Sequence, residues 1–151
     1  MKAERSDRNH IMKFRFIVSA ILCSFMAVGA FAQMQQPFKG RFVCDAKRIT
    51  IQLDLYETSL TAPGLDFLGK VNGYMFGGGV YGVWLLTDFS IKDNTATLRM
   101  SNDTGSDSQT VEFKMQSDSL FHYKAVGGNN VKKAQGRRLV KIDPEMDFRR
   151  K

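Results

Sequence analysis

The sequence predicts an all-β domain, arranged as a single small antiparallel barrel of the lipocalin-like meander type or, as the other arrangement, a sandwich, with about eight short strands. Three observations carry this reading. From Lys47 to Glu57 apolar and polar residues alternate, with Ile49, Ile51, Leu53 and Leu55 on one side and Arg48, Thr50, Gln52 and Asp54 on the other, the period of two that a half-buried strand requires. Turn chemistry recurs every ten or so residues, at Asp45-Ala46, Pro63-Gly64, Gly77-Gly78-Gly79, Asp93-Asn94, Ser117-Asp118 and Gly127-Gly128-Asn129-Asn130. Between those turns no segment of the mature chain is long enough, or has the right period, for an amphipathic helix. A barrel is preferred to a sandwich because closing a meander disposes of its edge strands.

Phe38 to Cys44 reads as the first strand and the Lys47 to Glu57 run as the second, with a tight turn between them. Burial of the four aliphatic chains of the second contributes roughly 6 to 12 kcal/mol before chain entropy is subtracted, enough to found a core. After the Pro63-Gly64 turn, a short strand is expected near Leu68 to Phe76, followed by a mobile Gly77 to Gly79 loop. Val80 to Thr87, apolar on both faces and carrying the single Trp84, reads as a central strand covered from two sides. Phe89 to Lys92 and Thr95 to Met100 form the next hairpin, with Ala96, Leu98 and Met100 inward. Gln109 to Gln116 and Leu120 to Val126 follow, and Val131 to Ala134 with Arg138 to Ile142 are expected to close the sheet.

The N-terminal part is expected to be removed. Lys13 and Arg15 precede an uncharged run from Phe16 that ends in Ala30-Phe31-Ala32, the small-x-small pattern of a signal-peptidase site, so cleavage falls before Gln33. The other reading of that run is an uncleaved anchor. Met12, whose Met-Lys-Phe-Arg opening is a complete n-region, is the expected start of translation. Residues 1–32 are thus a leader, 33–142 a single β domain and 143–151 a basic C-terminal tail. The mature chain carries 17 Lys and Arg against 13 Asp and Glu, and the excess is local: 132–151 holds eight basic and three acidic residues. In an exported protein, periplasmic or secreted, that segment reads as a solvated or anion-facing edge rather than a nucleic-acid groove. One cysteine, Cys44, survives processing, so no disulfide can form within the mature monomer and stability rests on packing.

Chemistry-bearing motifs are few. The glycine triplet is followed by Val80-Tyr81-Gly82 rather than Gly-Lys-Ser or Gly-Lys-Thr, so it is a hairpin tip and no phosphate cradle. Asp103-Thr104-Gly105-Ser106 spells the aspartic-protease tetrapeptide, but it follows polar Ser101-Asn102 instead of an apolar strand end and lies late in the chain. Asn102, Asp103 and Asp107 lack the bidentate glutamate of a calcium loop. His122 is the single histidine of the mature chain and is expected to face away from the inward Phe121 and Tyr123, apart from Cys44, so neither a thiol-imidazole pair nor a zinc site is expected. No cofactor is implied. Tyr74, Phe76 and Tyr81, which bracket the glycine loop, are the candidate binding residues, since large aromatic side chains beside a turn suit a ligand lid or an interaction surface as well as a core.

Leu55-Tyr56-Glu57, Pro63-Gly64, Gly69, Gly73-Tyr74-Met75, Trp84-Leu85, Asn102-Asp103 with Gly105-Ser106, and Val140-Lys141 before Phe148 together resemble a group of small signal-peptide-bearing β-rich exported proteins of Bacteroidetes. The resemblance implies export and a β fold and lends no catalytic residue. The expected function is therefore an exported, non-catalytic binding or interaction domain, engaging a small apolar molecule or a cell-envelope partner, with no role for nucleic acid and a membrane involved only through the signal peptide. A retropepsin-like hydrolase using the Asp103 loop is the alternative.

Overall fold

The computed structural model describes residues 36–151; the leader, its cleavage after Ala32 and the start at Met12 lie outside the described residues. Within them the period-two segments become strands: β1 (Lys39–Cys44), β2 (Ile49–Asp54), β3 (Gly73–Gly77), β4 (Trp84–Lys92), β5 (Thr95–Asn102), β6 (Ser108–Met115), β7 (Leu120–Gly128), β8 (Lys132–Gln135), β9 (Arg138–Lys141) and β10 (Glu145–Arg150). Eight of them close an antiparallel barrel in the order β1-β10-β7-β6-β5-β4-β3-β2, and β8 and β9 form a separate hairpin. The sandwich arrangement is thereby replaced by the barrel. Closure leaves no unpaired edge among those eight strands.

Several expectations change in detail. Residues 143–151 are not a tail, because β10 seals the barrel between β1 and β7, pairing Phe42 with Arg150 on one side and Phe148 with Phe121 on the other. Met146 and Phe148 are its inward pair, and the four charged residues around them hid that alternation. The segments expected to close the sheet form the β8–β9 hairpin instead. Val80–Thr87 and Phe89–Lys92 are not two strands: β4 runs unbroken from Trp84, with a bulge between Leu86 and Asp88 that resets its register on β5. Thr50, expected on the solvent face, is only 6% exposed between its cross-strand neighbours Val43 and Phe76.

The inward positions meet along the barrel axis. Phe38, Phe42, Phe113, Phe121 and Phe148 are all fully buried. Phe42 lies edge-on to Phe113 and Phe121, with centroids 5.2 and 4.7 Å apart, and Phe113 stacks on Phe121 at 5.3 Å. These are the offset and edge-to-face geometries that aromatic quadrupoles favour. Ile51, Leu53, Met75, Leu98, Met100 and Val111 complete the filling. The inside of this barrel is a packed core, as is usual for eight strands.

Strand direction gives the barrel two different ends. The start of β1, the β2–β3, β4–β5 and β6–β7 connections and the end of β10 lie at one, here the lower rim. The β1–β2, β3–β4 and β5–β6 turns and the long β7–β10 connection, which contains the hairpin, lie at the upper rim. Arg150 sits over the Phe42 and Phe121 rings, 5.5 and 5.3 Å from their centroids, and donates to the Pro37 carbonyl, so a cation-π contact helps stop the lower end.

Candidate functional site: a cationic cleft at the upper rim

The upper rim is assembled from a turn that the sequence makes at a cost. Four residues, Asp45 to Arg48, join β1 to β2; the Lys47 amide donates to the Cys44 carbonyl at 3.2 Å and the Arg48 amide to Asp45 at 3.3 Å. This brings Arg48 to φ 55°, a left-handed conformation that glycine or asparagine adopts readily and a long side chain does not. Among the described residues the other two non-glycine positions of that kind are Asp93 and Asn130, residue types that tolerate it. Holding Arg48 there costs about 1 kcal/mol relative to glycine.

The glycine triplet fits against this turn. A Cβ at Gly78 would stand 2.3 Å from the Lys47 carbonyl oxygen and one at Gly77 2.7 Å from that of Arg48, so only glycine permits the approach. The expected mobile loop is thus a docked turn, its glycines required by contact as well as by φ. Beyond it the chain pairs with β8: the Ala134 amide donates to Gly79, the Tyr81 amide to Lys132, both at 2.9 Å, and Val80 bridges Lys133. The β8–β9 hairpin is thereby hung on the rim. From Lys132 to Lys141 it carries Lys132, Lys133, Arg137, Arg138 and Lys141 and no acidic residue.

Turn, triplet and hairpin enclose a cleft of about 290 Å³ lined by Ala46, Lys47, Arg48, Ile49, Gly78, Lys133, Ile142, Asp143 and Met146. Three cations thus surround one carboxylate. Lys47 Nζ lies 2.6 Å from Asp143 Oδ2, with the two side chains 43% and 56% exposed. The hydrogen bond to Asp143 and its charge hold the Lys47 ammonium above its ordinary value. The same bond, the Lys47 charge and the more distant Lys133 hold the Asp143 carboxyl below its own. Exposed on both sides, the pair adds little to stability and is open to exchange.

The aromatic candidates are not gathered into one pocket. Tyr74 and Phe76 share the outer face of β3, half-buried, with ring centroids 5.8 Å apart. Tyr81 stands beyond the glycine turn, 59% exposed, and its carbonyl accepts the Trp84 indole N–H at 3.3 Å. No ring contact among the described residues joins it to the other two.

The Asp103 tetrapeptide forms the β5–β6 turn. Asn102 organises it, donating from Nδ2 to Ser106 Oγ at 2.9 Å and accepting the Asp107 amide at 3.2 Å, while the Gly105 amide donates to the Asn102 carbonyl at 3.0 Å. Asp103 itself is exposed. His122 lies on the barrel exterior, its Nδ1 2.7 Å from Asp147 Oδ1, and Cys44 is buried in the core. Among the described residues no three His, Cys, Asp or Glu side chains gather as a metal site.

The described residues thus form a small closed antiparallel β-barrel with a filled interior and a basic, partly concave upper rim. Neither protein-family models nor curated proteins match its sequence. Among solved structures, the crystal structure of pallilysin from Treponema pallidum is similar, with a TM-score of 0.50 at 11% identity, over 86% of this chain and 96% of that one. At that identity the likeness concerns the fold alone.

Sequence reasoning did not reach Lys47, Arg48, Lys133 and Asp143 as a group. The basicity of 132–151 was a signal for one half of the cleft. For the other, a four-residue loop needs a left-handed residue at its end, and the alternation starting at Ile49 assigns that position to Arg48.

Proposed function

We propose that the protein is an exported, non-catalytic binding domain, periplasmic or secreted, that engages its partner with the upper rim of the barrel. The observation that carries this reading is the contrast between an axis filled by fully buried aromatic rings and a rim that displays Tyr81, the exposed Leu139 and an all-basic hairpin. A filled axis turns the reading from a cup holding an apolar molecule to a surface holding an anionic one. The Lys13–Ala32 pattern supports export, and likeness to the exported β-rich proteins of Bacteroidetes points the same way. Tyr81 supplies the large amphipathic contact that binding surfaces favour, while Tyr74 and Phe76 form an aromatic pair on the outer face of β3.

Two measurements test the proposal. Native mass spectrometry of protein purified from its own host's envelope fraction is expected to show a retained non-covalent partner that Tyr81→Ala loses. A proteolysis assay with pepstatin addresses the alternative: hydrolysis blocked by pepstatin and abolished by Asp103→Asn would replace the binding reading with the hydrolase.

A further inference from the structure

We propose that the cleft between the β1–β2 turn and the β8–β9 hairpin binds a phosphate-type oxyanion group, which takes the place of Asp143 on Lys47. This deepens the binding-domain reading, on which it rests, by naming the ligand chemistry of the rim. Three features of the cleft support it. Lys47, Arg48 and Lys133 line a single concavity whose one acidic lining residue is Asp143, so the enclosed charge remains positive after the internal pair has formed. Asp45 of the same turn does not line it and is taken by Lys151 at 3.2 Å.

The second feature is Arg48. The backbone at this position favours glycine, yet the residue is a planar cation with a fork of N–H donors, the side chain best matched to the oxygens of a phosphate. The third is the state of the Lys47–Asp143 pair. At 2.6 Å a carboxylate oxygen already sits where a ligand oxyanion would sit, and both side chains remain open to solvent, so an incoming dianion exchanges one oxyanion for another without leaving a buried charge unpaired.

The test uses the purified protein and inorganic phosphate, with ionic strength held constant by sodium chloride, followed by amide chemical shifts. Saturable shifts are expected at Lys47, Arg48, Gly78 and Lys133. Asp143→Asn, which removes the competing carboxylate, is expected to tighten binding about two- to fivefold. Arg48→Gly relaxes the backbone and so keeps the fold, yet is expected to weaken binding at least about tenfold. Two further arms identify the source of the group. Vesicles of phosphatidylglycerol in phosphatidylcholine that recruit the protein but not Arg48→Gly assign it to lipid headgroups; binding of glycerol phosphate without vesicle recruitment assigns it to soluble esters. The proposal is overturned if phosphate shifts no more signals than chloride does, or if Arg48→Gly and Asp143→Asn both leave the affinity unchanged. Such a result leaves the binding-domain reading standing, because that reading fails on Asp103-dependent hydrolysis, which phosphate affinity does not touch.

Discussion

Each rim of the barrel carries a lysine-carboxylate pair beside a strand end, and the Lys39–Asp54 and Lys47–Asp143 pairs differ sharply in their surroundings. At the lower rim Lys39 Nζ lies 3.0 Å from Asp54 Oδ2, at the upper rim Lys47 lies 2.6 Å from Asp143. Distance alone would rank the upper pair as the stronger. Surroundings reverse that ranking. The Asp54 side chain is 2% exposed and also accepts the Ser59 hydroxyl at 2.8 Å and the backbone amides of Glu57 and Tyr56 at 3.0 and 3.3 Å. Its own backbone exchanges bonds with Asn72 across the β2–β3 connection. Burial raises the Asp54 carboxyl, but the bonds from Ser59, Lys39, Tyr56 and Glu57 together outweigh it and leave it below the ordinary range. Asp54 is therefore the node that folds the long β2–β3 loop back onto the barrel. A fully satisfied, buried carboxylate is a structural element; an exposed one with a single strong partner is a place where a ligand can enter.

The most destructive way to probe this contrast is through the core both rims share. Leu53→Asp places a carboxylate on the filled axis beside Asp54 and is expected to unfold the domain, at a cost of more than about 4 kcal/mol, whereas Gln52→Asp, half-exposed on the outer face, is expected to stay near wild type. Equal melting temperatures for the two variants would contradict the inward assignment of Leu53. Thr50→Asp, which alternation alone marks as harmless, is expected to destabilise as well, because the residue is buried.

Next in size comes the lower pair itself. Asp54→Ala removes the acceptor for four donors and is expected to cost about 3 kcal/mol in chemical denaturation. The same group sets an acid limit. Its folded pKa lies below the 3.8 of an ordinary aspartate, so the stabilisation it gives is fully present above that unfolded value and is lost as pH falls through the lower folded one. Thermal unfolding from pH 6 down to pH 2 should therefore show a loss that is smaller in Asp54→Asn, and parallel profiles for the two proteins would remove Asp54 from the account.

The smallest effects belong to the upper rim. Asp143→Asn and Tyr81→Ala are each expected to change stability by less than about 0.5 kcal/mol, since both side chains are more than half exposed. Tyr81→Ala should nonetheless lose the partner. A cost of 3 kcal/mol or more would mark Tyr81 as a core ring and remove it from the binding surface.

What the sequence alone determined is what local periodicity can carry. The alternation of Ile49, Ile51, Leu53 and Leu55 put a strand in place with its inward face identified, and the spacing of turn residues made a closed meander the economical arrangement. Tyr81 beside the glycine turn was legible for the same reason, as a local juxtaposition. Three things were decided only in the tertiary structure. Asp54 alternates as an outward residue, yet it is buried because a loop eighteen residues long folds back over it. Glu145 to Arg150 has only two apolar residues among its charges, yet it becomes a barrel strand because β1 and β7 offer it two unpaired edges at once. The cleft joins Lys47 and Arg48 to Lys133 and Asp143, more than eighty residues apart, through a backbone contact at Gly78 that has no side chain to announce it. Period and turn chemistry act between neighbours in the chain, whereas edge pairing, loop burial and the meeting of two rims of charge are set by barrel closure, which no local window of sequence contains.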